Sequence, residues 1–287
     1  MRKVKQCKKR NYKGISTIWI IGIIVFILFS LLPIYIMLKY SISDKASIIT
    51  GGKYPEPLWP FHPNFTMYHA ILSRSDFQQA FFVSIKIALL TVMFSMILGA
   101  PAAYAITRYK LPGKSIILFL FISIRFFPDI ASVVPLTTQF MKSPFIYLTP
   151  TMRVSLVHTL LGLPYVLYIA KGIFETIPID LDEQVEIMGA GKFYGFFHII
   201  LPLAVPGLAA AAIYVFLLSW NEFTFSYFLM FQSPSATLSV YLQKLLLWTP
   251  QTNYLSAIAA LVSLPVIIFT LIIQKYMVSG ITDGAIK

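Results

Sequence analysis

The chain has 287 residues, of which 57% are hydrophobic and only 12% are charged. Soluble globular domains carry about 25% charged residues, so this composition excludes an ordinary soluble domain and favours a protein that lies in lipid. The net charge of +12 does not indicate nucleic-acid binding, because seven of the 23 Lys and Arg residues lie between Arg2 and Lys13, directly before the first apolar stretch, where basic residues anchor a helix on the cytoplasmic side.

Six apolar stretches predict six transmembrane helices, because each approaches the roughly 20 residues that cross a bilayer. The first, at 15–39, follows a basic leader at 1–14 and is longer than the apolar part of a signal peptide, so it is predicted to be retained. An extracytoplasmic loop is predicted at 40–80. The other helices, at 81–107, 115–138, 154–170, 199–218 and 254–273, form a core over 81–276, followed by a tail at 277–287. Both termini are predicted to lie in the cytoplasm, in a multi-pass protein of the plasma or inner membrane.

The third apolar stretch contains charges and prolines that predict a break or a re-entrant bend in its far half. These residues are Arg125, Pro128, Asp129 and Pro135. Two interpretations of Arg125 and Asp129 stay equally open. The pair either faces a translocation path or neutralises its own charges near a membrane boundary, since an intramembrane charge is costly unless it is paired or wet.

An acidic segment separates the fourth and fifth predicted helices. It contains Glu-Gln-Val-Glu-Ile-Met-Gly-Ala at 183–190 and, with nine residues between Gly189 and Ile199, Ile-Ile-Leu-Pro at 199–202. This spacing closely resembles the cytoplasmic-loop signature of binding-protein-dependent ABC importer permeases, which is Glu-Ala-Ala, three residues, Gly, nine residues, Ile-x-Leu-Pro. Gln184 and Val185 stand where the family usually has two alanines, and Met188 stands where an Asp is common.

The resemblance covers nearly the whole chain and narrows to the carbohydrate-importer branch, represented by the maltose-type second permease subunit. Other stretches that carry it are Leu-Leu-Pro-Ile-Tyr at 31–35, Ala-Ala-Tyr-Ala at 102–105 with Arg108 and Leu-Pro-Gly at 111–113, Ser-Trp-Asn-Glu-Phe at 219–223, and the C-terminal 280–287.

The resemblance implies an all-α type I importer permease fold with six transmembrane helices, the first of which wraps a partner. It also implies a cytoplasmic coupling helix between the fourth and fifth helices, within 178–202, that sits in a groove of an ATPase subunit. The residues implied to carry this coupling are Glu183, Gln184, Val185, Ile187, Gly189, Ala190, Leu201 and Pro202. The tail residues implied to reach the ATPase dimer interface are Gly280, Thr282, Asp283 and Gly284.

The partners that the resemblance implies are a second homologous permease subunit, a dimer of ATPase subunits carrying ATP and Mg, and an extracytoplasmic sugar-binding protein. The chain itself is expected to bind no cofactor and no nucleic acid, with membrane lipid around it. It has no phosphate-binding motif of the form Gly-x-x-x-x-Gly-Lys-Ser/Thr, because the Gly-Lys-Ser at 113–115 is preceded by Arg108 where the motif requires a Gly. Its four His residues are scattered without metal-ligand spacing and are interpreted as interfacial or loop residues, and Cys7 is the only cysteine. We therefore expect no catalytic residue and no metal site.

Trp220, Asn221 and Glu222, after the fifth helix, are the remaining candidates for a translocation path, although anchoring at the interface is favoured about two to one. The function predicted is half of the pathway of a sugar importer. Disaccharides or short oligosaccharides are preferred because the resemblance is to maltose-type and trehalose-type subunits. The alternatives are a stand-alone secondary transporter or channel, which would usually show an internal repeat, and a membrane enzyme, for which no site is found.

Overall fold

The computed structural model describes residues 17–44, 63–230, 233–247 and 251–284, and these residues form helices and short connections without a strand. In chain order the helices are α1 (Thr17–Ser41), α2 (Thr66–Leu72), α3 (Ser75–Arg108), α4 (Lys114–Ser123), α5 (Asp129–Phe140), α6 (Pro150–Thr176), α7 (Asp180–Ile187), α8 (Lys192–Gly195), α9 (Leu201–Asn221), α10 (Thr224–Met230), α11 (Leu238–Leu246) and α12 (Thr252–Gly284). A π-helical turn, Phe196–Ile200, joins α8 to α9.

Among the described residues, five helical stretches are long and apolar enough to cross a membrane. They are Trp19–Ser41, Ser75–Arg108, Pro150–Thr176, Lys192–Asn221 and Thr252–Ile272. The sixth predicted span corresponds to α4 and α5, which are bent by 101° at the break between them. The break predicted in this stretch is confirmed, because Pro128 has no N–H for a continuous helix and the chain is extended at Phe127.

Several predicted helix ends were wrong: α6 runs from Pro150 to Thr176 rather than over 154–170, α12 continues to Gly284 into the predicted tail, and two further boundaries also moved. The loop predicted at 40–80 contains α2 and the first turns of α3, which begins at Ser75 rather than at residue 81. The helix continues into a polar turn there, because Asp76 accepts a hydrogen bond from the N–H of Phe77 and pairs with Arg74. At the other boundary, Trp220 and Asn221 belong to the last turn of α9 rather than to an external stretch. Apolar length marks the part of a helix that lies in lipid and misses its polar ends.

The chain divides into two compact units. One contains α1 and the first turns of α12. Within it, the hydroxyl of Tyr68 donates to Ser41 Oγ at 2.7 Å and Asn253 Nδ2 donates to the carbonyl of Ser43 at 3.5 Å. Many large apolar side chains of α1 are exposed, and those of Trp19, Phe26 and Phe29 are 70% to 75% exposed. This helix therefore presents an apolar surface to lipid or to another chain.

The other unit contains α3 to α11, and its core lies where α3, α6 and α9 pack together. Small residues at this contact let the helices approach closely, as is common in membrane bundles. They are Ala100 and Ala103 of α3, Ala170 of α6 and Ala204 of α9, and Leu167, Phe174 and Leu208 fill the space around them. The packing holds the ends of the three helices in fixed positions, so that the loop between α6 and α8 starts from a rigid base.

Candidate functional site

The loop between α6 and α8 is built on α7, an eight-residue helix whose first turn carries Asp180, Asp182 and Glu183. Negative side chains stabilise the positively polarised start of a helix, so the acidic cluster favours helix formation here. The carboxylate of Asp182 also forms an ion pair with Arg108, at the end of α3, with 2.8 Å between Nε and Oδ2. The N–H is not aimed at that oxygen, so the contact is electrostatic rather than a hydrogen bond.

Arg108 and Tyr104 fasten α7 to the membrane-spanning helices. Arg108 Nη2 donates to the carbonyl of Ile177, directly after α6, at 2.9 Å. The hydroxyl of Tyr104, one turn earlier on α3, donates to Asp182, and its ring centroid lies 4.7 Å from that of Phe196 in the π-helical turn. The end of α3 thus contacts α7, the residue that follows α6 and the turn before α9.

Gly189 ends α7 with a φ of +77°, a conformation that glycine adopts without strain because it has no Cβ. Its N–H donates to the carbonyl of Glu186 at 3.0 Å, and the N–H of Ala190 donates to the carbonyl of Val185 at 3.1 Å. These two hydrogen bonds form a Schellman motif, which closes the carboxyl end of a helix. Gly189 therefore forms a tight turn between α7 and α8.

Val185 packs the loop back on itself. Its side chain is 5% exposed, and a Cβ added at Gly195 would lie 2.8 Å from Val185 Cγ1, so only glycine allows α8 to approach α7 this closely. The chain then enters α9 through the π-helical turn, in front of Pro202. Since Pro202 has no N–H for the preceding turn, a locally widened helix is compatible with its position.

Large apolar side chains are exposed at the tip of the loop. Ile187, Met188 and Phe193 are 82% to 85% exposed, and they lie on either side of the Gly189 turn. We call them, together with the exposed Glu183 and Gln184, the loop-tip surface. Exposed apolar groups between charged residues mark an interaction site, so this surface is suited to enter a groove on another protein.

Glu183 differs from the neighbouring carboxylates in its pairing. Asp182 is paired with Arg108, and Glu186 lies 3.4 Å from Lys192 Nζ. Within the part of the chain that the structure describes, Glu183 has no ion-pair partner. A cavity of about 220 Å³ adjoins all three carboxylates. A basic group of another protein that approached this cavity would therefore meet Glu183 first.

The predicted coupling residues divide into exposed and packed positions. Glu183, Gln184, Ile187 and Gly189 are exposed. Val185 is buried, and the half-buried Leu201 packs against the core of α3, α6 and α9, so these two hold the loop in place. The other two are the half-buried Ala190 and the exposed Pro202.

Sequence reasoning missed two residues of the loop-tip surface, Met188 and Phe193. Met188 was interpreted only as a departure from the signature. Both side chains are large and apolar within a charged connection between two spans, and this is the signal that could have found them.

The predicted tail contact falls mostly outside the described part of the chain. Residues 280–284 have a described helical backbone in α12, but the side chains of Thr282 and Asp283 lie outside the described residues, as do residues 285–287.

A second polar cluster lies where α6 meets the turn between α9 and α10. His158 is fully buried, which corrects its interpretation as an interfacial or loop residue. Its Nε2 lies 2.9 Å from a carboxylate oxygen of Glu222, and its Nδ1 lies 2.8 Å from Ser219 Oγ. Glu222 also accepts hydrogen bonds from the N–H groups of Phe225 and Ser226. Sequence reasoning missed this cluster, because the partners lie 61 to 68 residues apart along the chain.

The environment of Glu222 keeps this carboxyl ionised. Burial raises the pKa of Glu222. The hydrogen bond and the charge of His158, together with the two backbone N–H groups, lower this pKa by more than burial raises it. The net pKa lies below the ordinary value. Trp220, close by, is 4% exposed and stacks with Phe216. Glu222 is therefore engaged in hydrogen bonds within the chain, and the ring of Trp220 is packed against Phe216. Asn221 is exposed, and its side-chain amide donates to the carbonyl of Leu217.

Arg125 and Asp129 lie on either side of the bend between α4 and α5, with 3.3 Å between Nη1 and Oδ1. The two residues that the sequence singled out in this span are thus brought together. Among the residues that the structure describes, no group of three or more His, Cys, Asp or Glu side chains could hold a metal ion.

Comparison with known proteins gives a family match. Residues 92–283 match the model of the family described as binding-protein-dependent transport system inner membrane component. The chain is 30% identical to the trehalose transport system permease protein SugB of Mycobacterium tuberculosis over 276 residues, which cover 95% of this chain and 98% of SugB. It is also 30% identical to the maltose/maltodextrin transport system permease protein MalG of Salmonella typhimurium, with 93% of this chain and 94% of MalG covered.

A solved structure shares the fold. It belongs to a bacterial ABC transporter involved in the import of the acidic polysaccharide alginate, and the matched chain superposes with a TM-score of 0.71. The two chains are 20% identical, and the match covers 92% of this chain and 98% of the other. The two chains therefore share their fold over nearly their whole length.

Proposed function

This chain belongs to the family of binding-protein-dependent transport system inner membrane components, and on that premise we propose that it forms half of the membrane pathway of an ABC importer for a disaccharide or a short oligosaccharide. It is a non-catalytic transport subunit, and ATP is hydrolysed on a separate subunit. The substrate class rests on relatives named for trehalose, maltodextrin and maltose transport. A stand-alone secondary transporter finds no support among these relatives.

The observation that carries the mechanism is the attachment of α7 to three spans. Closure of an ATPase dimer around ATP and Mg would displace the loop-tip surface. The contacts of Arg108 and Tyr104 with Asp182 then pass this displacement to α3, α6 and α9. Since packed helices move as rigid bodies rather than deform, the displacement rotates the spans and changes the side from which the pathway is open.

The partners follow from the surfaces that this chain leaves open. The loop-tip surface and the tail residues from Gly280 to Gly284 contact the ATPase dimer, with Glu183 facing a basic group. The apolar side chains of α1 cover a second homologous permease subunit or face lipid. An extracytoplasmic sugar-binding protein delivers the substrate to the opposite end of the bundle. The leader at 1–14 and the tail at 277–287 lie in the cytoplasm, in agreement with the basic charge of the leader.

The experiment that tests this function is purification of the tagged chain from its native membrane in mild detergent, followed by mass spectrometry of the proteins that co-purify at fixed stoichiometry. We expect an ATPase and a second multi-helix permease. The purified complex, reconstituted with its binding protein, should take up trehalose, maltose or maltotriose only with ATP. A chain that purifies alone and moves one of these sugars without ATP would contradict the proposal.

A further inference from the structure

Four polar side chains meet at the bend of the third span. Across the bend, Arg125 is paired with Asp129 at 3.3 Å. The Nε–H of Arg125 points to the hydroxyl of Tyr165 on α6 at 3.5 Å, and its guanidinium carbon lies 5.7 Å from the centroid of the Tyr165 ring. The Tyr165 ring in turn packs against that of Tyr214 on α9, with 4.5 Å between centroids and 47° between planes. Three spans therefore contribute to one cluster.

This cluster lies inside the membrane-spanning helices rather than at a helix end. At a rise of about 1.5 Å per residue, Arg125 lies about 16 Å from the start of α4, and Tyr165 lies about 16 Å from the end of α6. The end of α6 leads into the loop that carries α7, and the start of α4 follows Arg108, which pairs with Asp182 of α7, so both distances are measured from the same side. Neither residue therefore lies at the end of its helix, where a charged side chain would reach water.

The cluster is also accessible in this chain. The Asp129 side chain is 45% exposed, although its partner Arg125 is only 16% exposed. Tyr214 is 40% exposed. An exposed carboxylate within a membrane-spanning stretch is costly in lipid, and such residues face a water-filled cavity or the interior of the bundle. Simple neutralisation of Arg125 by Asp129 explains neither the exposure of the carboxylate nor the two tyrosine rings beside it.

We propose that Tyr165 and Tyr214, with Arg125 and Asp129, form a saccharide-contact subsite on this subunit's wall of the translocation path. The inference rests on the proposed function and deepens it. The exposed Tyr214 ring offers a flat apolar face to the C–H surface of a sugar ring. Asp129 accepts hydrogen bonds from sugar hydroxyls, and Arg125 orients both Asp129 and Tyr165. Trp220 and Glu222 are left out of the subsite, since they are packed against other side chains of this chain.

Uptake by cells that carry the whole importer tests this subsite, with ¹⁴C-labelled trehalose, maltose and maltotriose as probes. The variants are Tyr214→Leu, Tyr165→Leu and the ring-conserving Tyr214→Phe. Removal of an aromatic contact of about 1.4 kcal/mol weakens binding about tenfold, so we expect the KM of the transported sugar to rise by up to about tenfold in the Leu variants. Tyr214→Phe should stay close to wild type, and ATP hydrolysis stimulated by the binding protein should persist in all three.

Tyr168→Leu is the matched control. Tyr168 lies on α6 with Tyr165, and its exposed fraction of 40% equals that of Tyr214. Its hydroxyl donates to the carbonyl of Leu118 instead of contacting Arg125. An unchanged KM in both Leu variants overturns the subsite. An equal loss of uptake in Tyr168→Leu and in the Leu variants also overturns it, because it indicates a general packing defect. If the wild-type importer takes up none of the three sugars, the proposed substrate class fails instead, so the two failures are distinguishable.

Discussion

Arg108 has two partners on two different elements, and this makes it the residue on which the position of α7 depends most. Its side chain in the ion pair with Asp182 is 9% exposed and that of Asp182 is 19% exposed. Water therefore screens this pair much less than the pair of Lys171 with Glu175, whose carboxylate side chain is 52% exposed. When one member of a buried pair is removed, the remaining charge lacks compensation, and this costs more than the loss of an exposed pair.

We predict that Asp182→Ala destabilises the purified importer by about 3 kcal/mol, the cost typical of breaking a buried ion pair. The physical reason is that Arg108 keeps its charge in a poorly hydrated place. Thermal unfolding of the detergent-solubilised complex measures the change. Glu175→Ala is the control for an exposed pair and should cost less than about 1 kcal/mol. Equal losses in Asp182→Ala and Glu175→Ala would contradict the assignment of Asp182 as the fastening residue.

At the scale of elements, the parts of the fold that could be predicted are those encoded locally. The resemblance carried by the spacing from Glu183 to Pro202 implied a short helix between two spans, and the structure has α7 there, because this signature is encoded by neighbouring residues. The bend of the third span was also predictable, since Pro128 stands beside charged residues in an apolar run. The polar first turns of α3 were missed, because hydropathy identifies only the lipid-facing part of a helix.

The contacts that sequence reasoning could not supply join residues far apart along the chain. Tyr104 and Asp182 are 78 positions apart, and His158 and Glu222 are 64 apart. Tyr165 and Tyr214 belong to different spans. No local pattern relates such residues, and their pairing depends on the close approach of α3, α6 and α9. The loop could therefore be located from the sequence. The contacts of Arg108 and Tyr104 with Asp182, and the cluster of Arg125 with the two tyrosines at the bend, could not be predicted from it.

The turn between α7 and α8 gives a prediction at the element scale. Gly189→Ala should reduce uptake, and Gly189→Pro should abolish it while the chain still inserts into the membrane. Alanine at a φ of +77° is strained by roughly 1 kcal/mol. Proline cannot adopt this φ, and it also removes the hydrogen bond to the carbonyl of Glu186. The measurements are sugar uptake and the ATP hydrolysis of the same membranes, which should become uncoupled.

Gly191 is the control for this turn, because it lies two residues further on with a φ of −71°. A Cβ added there meets nothing within 4 Å. Gly191→Ala should therefore transport at the wild-type rate. If Gly189→Ala and Gly191→Ala behave alike, the left-handed turn is not what places the loop-tip surface.

At the scale of the whole molecule, the polar cluster at the bend of the third span and the loop-tip surface are connected through shared helices. Arg108, which pairs with Asp182 of α7, ends the same α3 whose middle packs against α6, and α6 carries both Tyr165 and His158. In the proposed mechanism, a rotation started at α7 moves Tyr165 relative to the membrane without any change in local structure. Transport of this kind needs a stiff connection, and the small residues between α3, α6 and α9 provide it, because close packing resists deformation.

The packed helices α3, α6 and α9 can transmit a force from the ATPase only if the ATPase binds the loop-tip surface. We predict that Ile187→Asp combined with Met188→Asp prevents co-purification of the ATPase and abolishes uptake, while insertion of the chain and its association with the second permease persist. Both side chains are more than 80% exposed, so the change removes apolar contact area from an interface without disturbing a packed core.

Leu247→Asp is the matched control, since Leu247 is 75% exposed and follows α11, at the opposite end of the span formed by α8 and α9. This variant should keep the ATPase bound. If the double variant still binds the ATPase and transports sugar at the wild-type rate, the contact lies elsewhere on the chain, and the force that moves α3, α6 and α9 does not enter through α7.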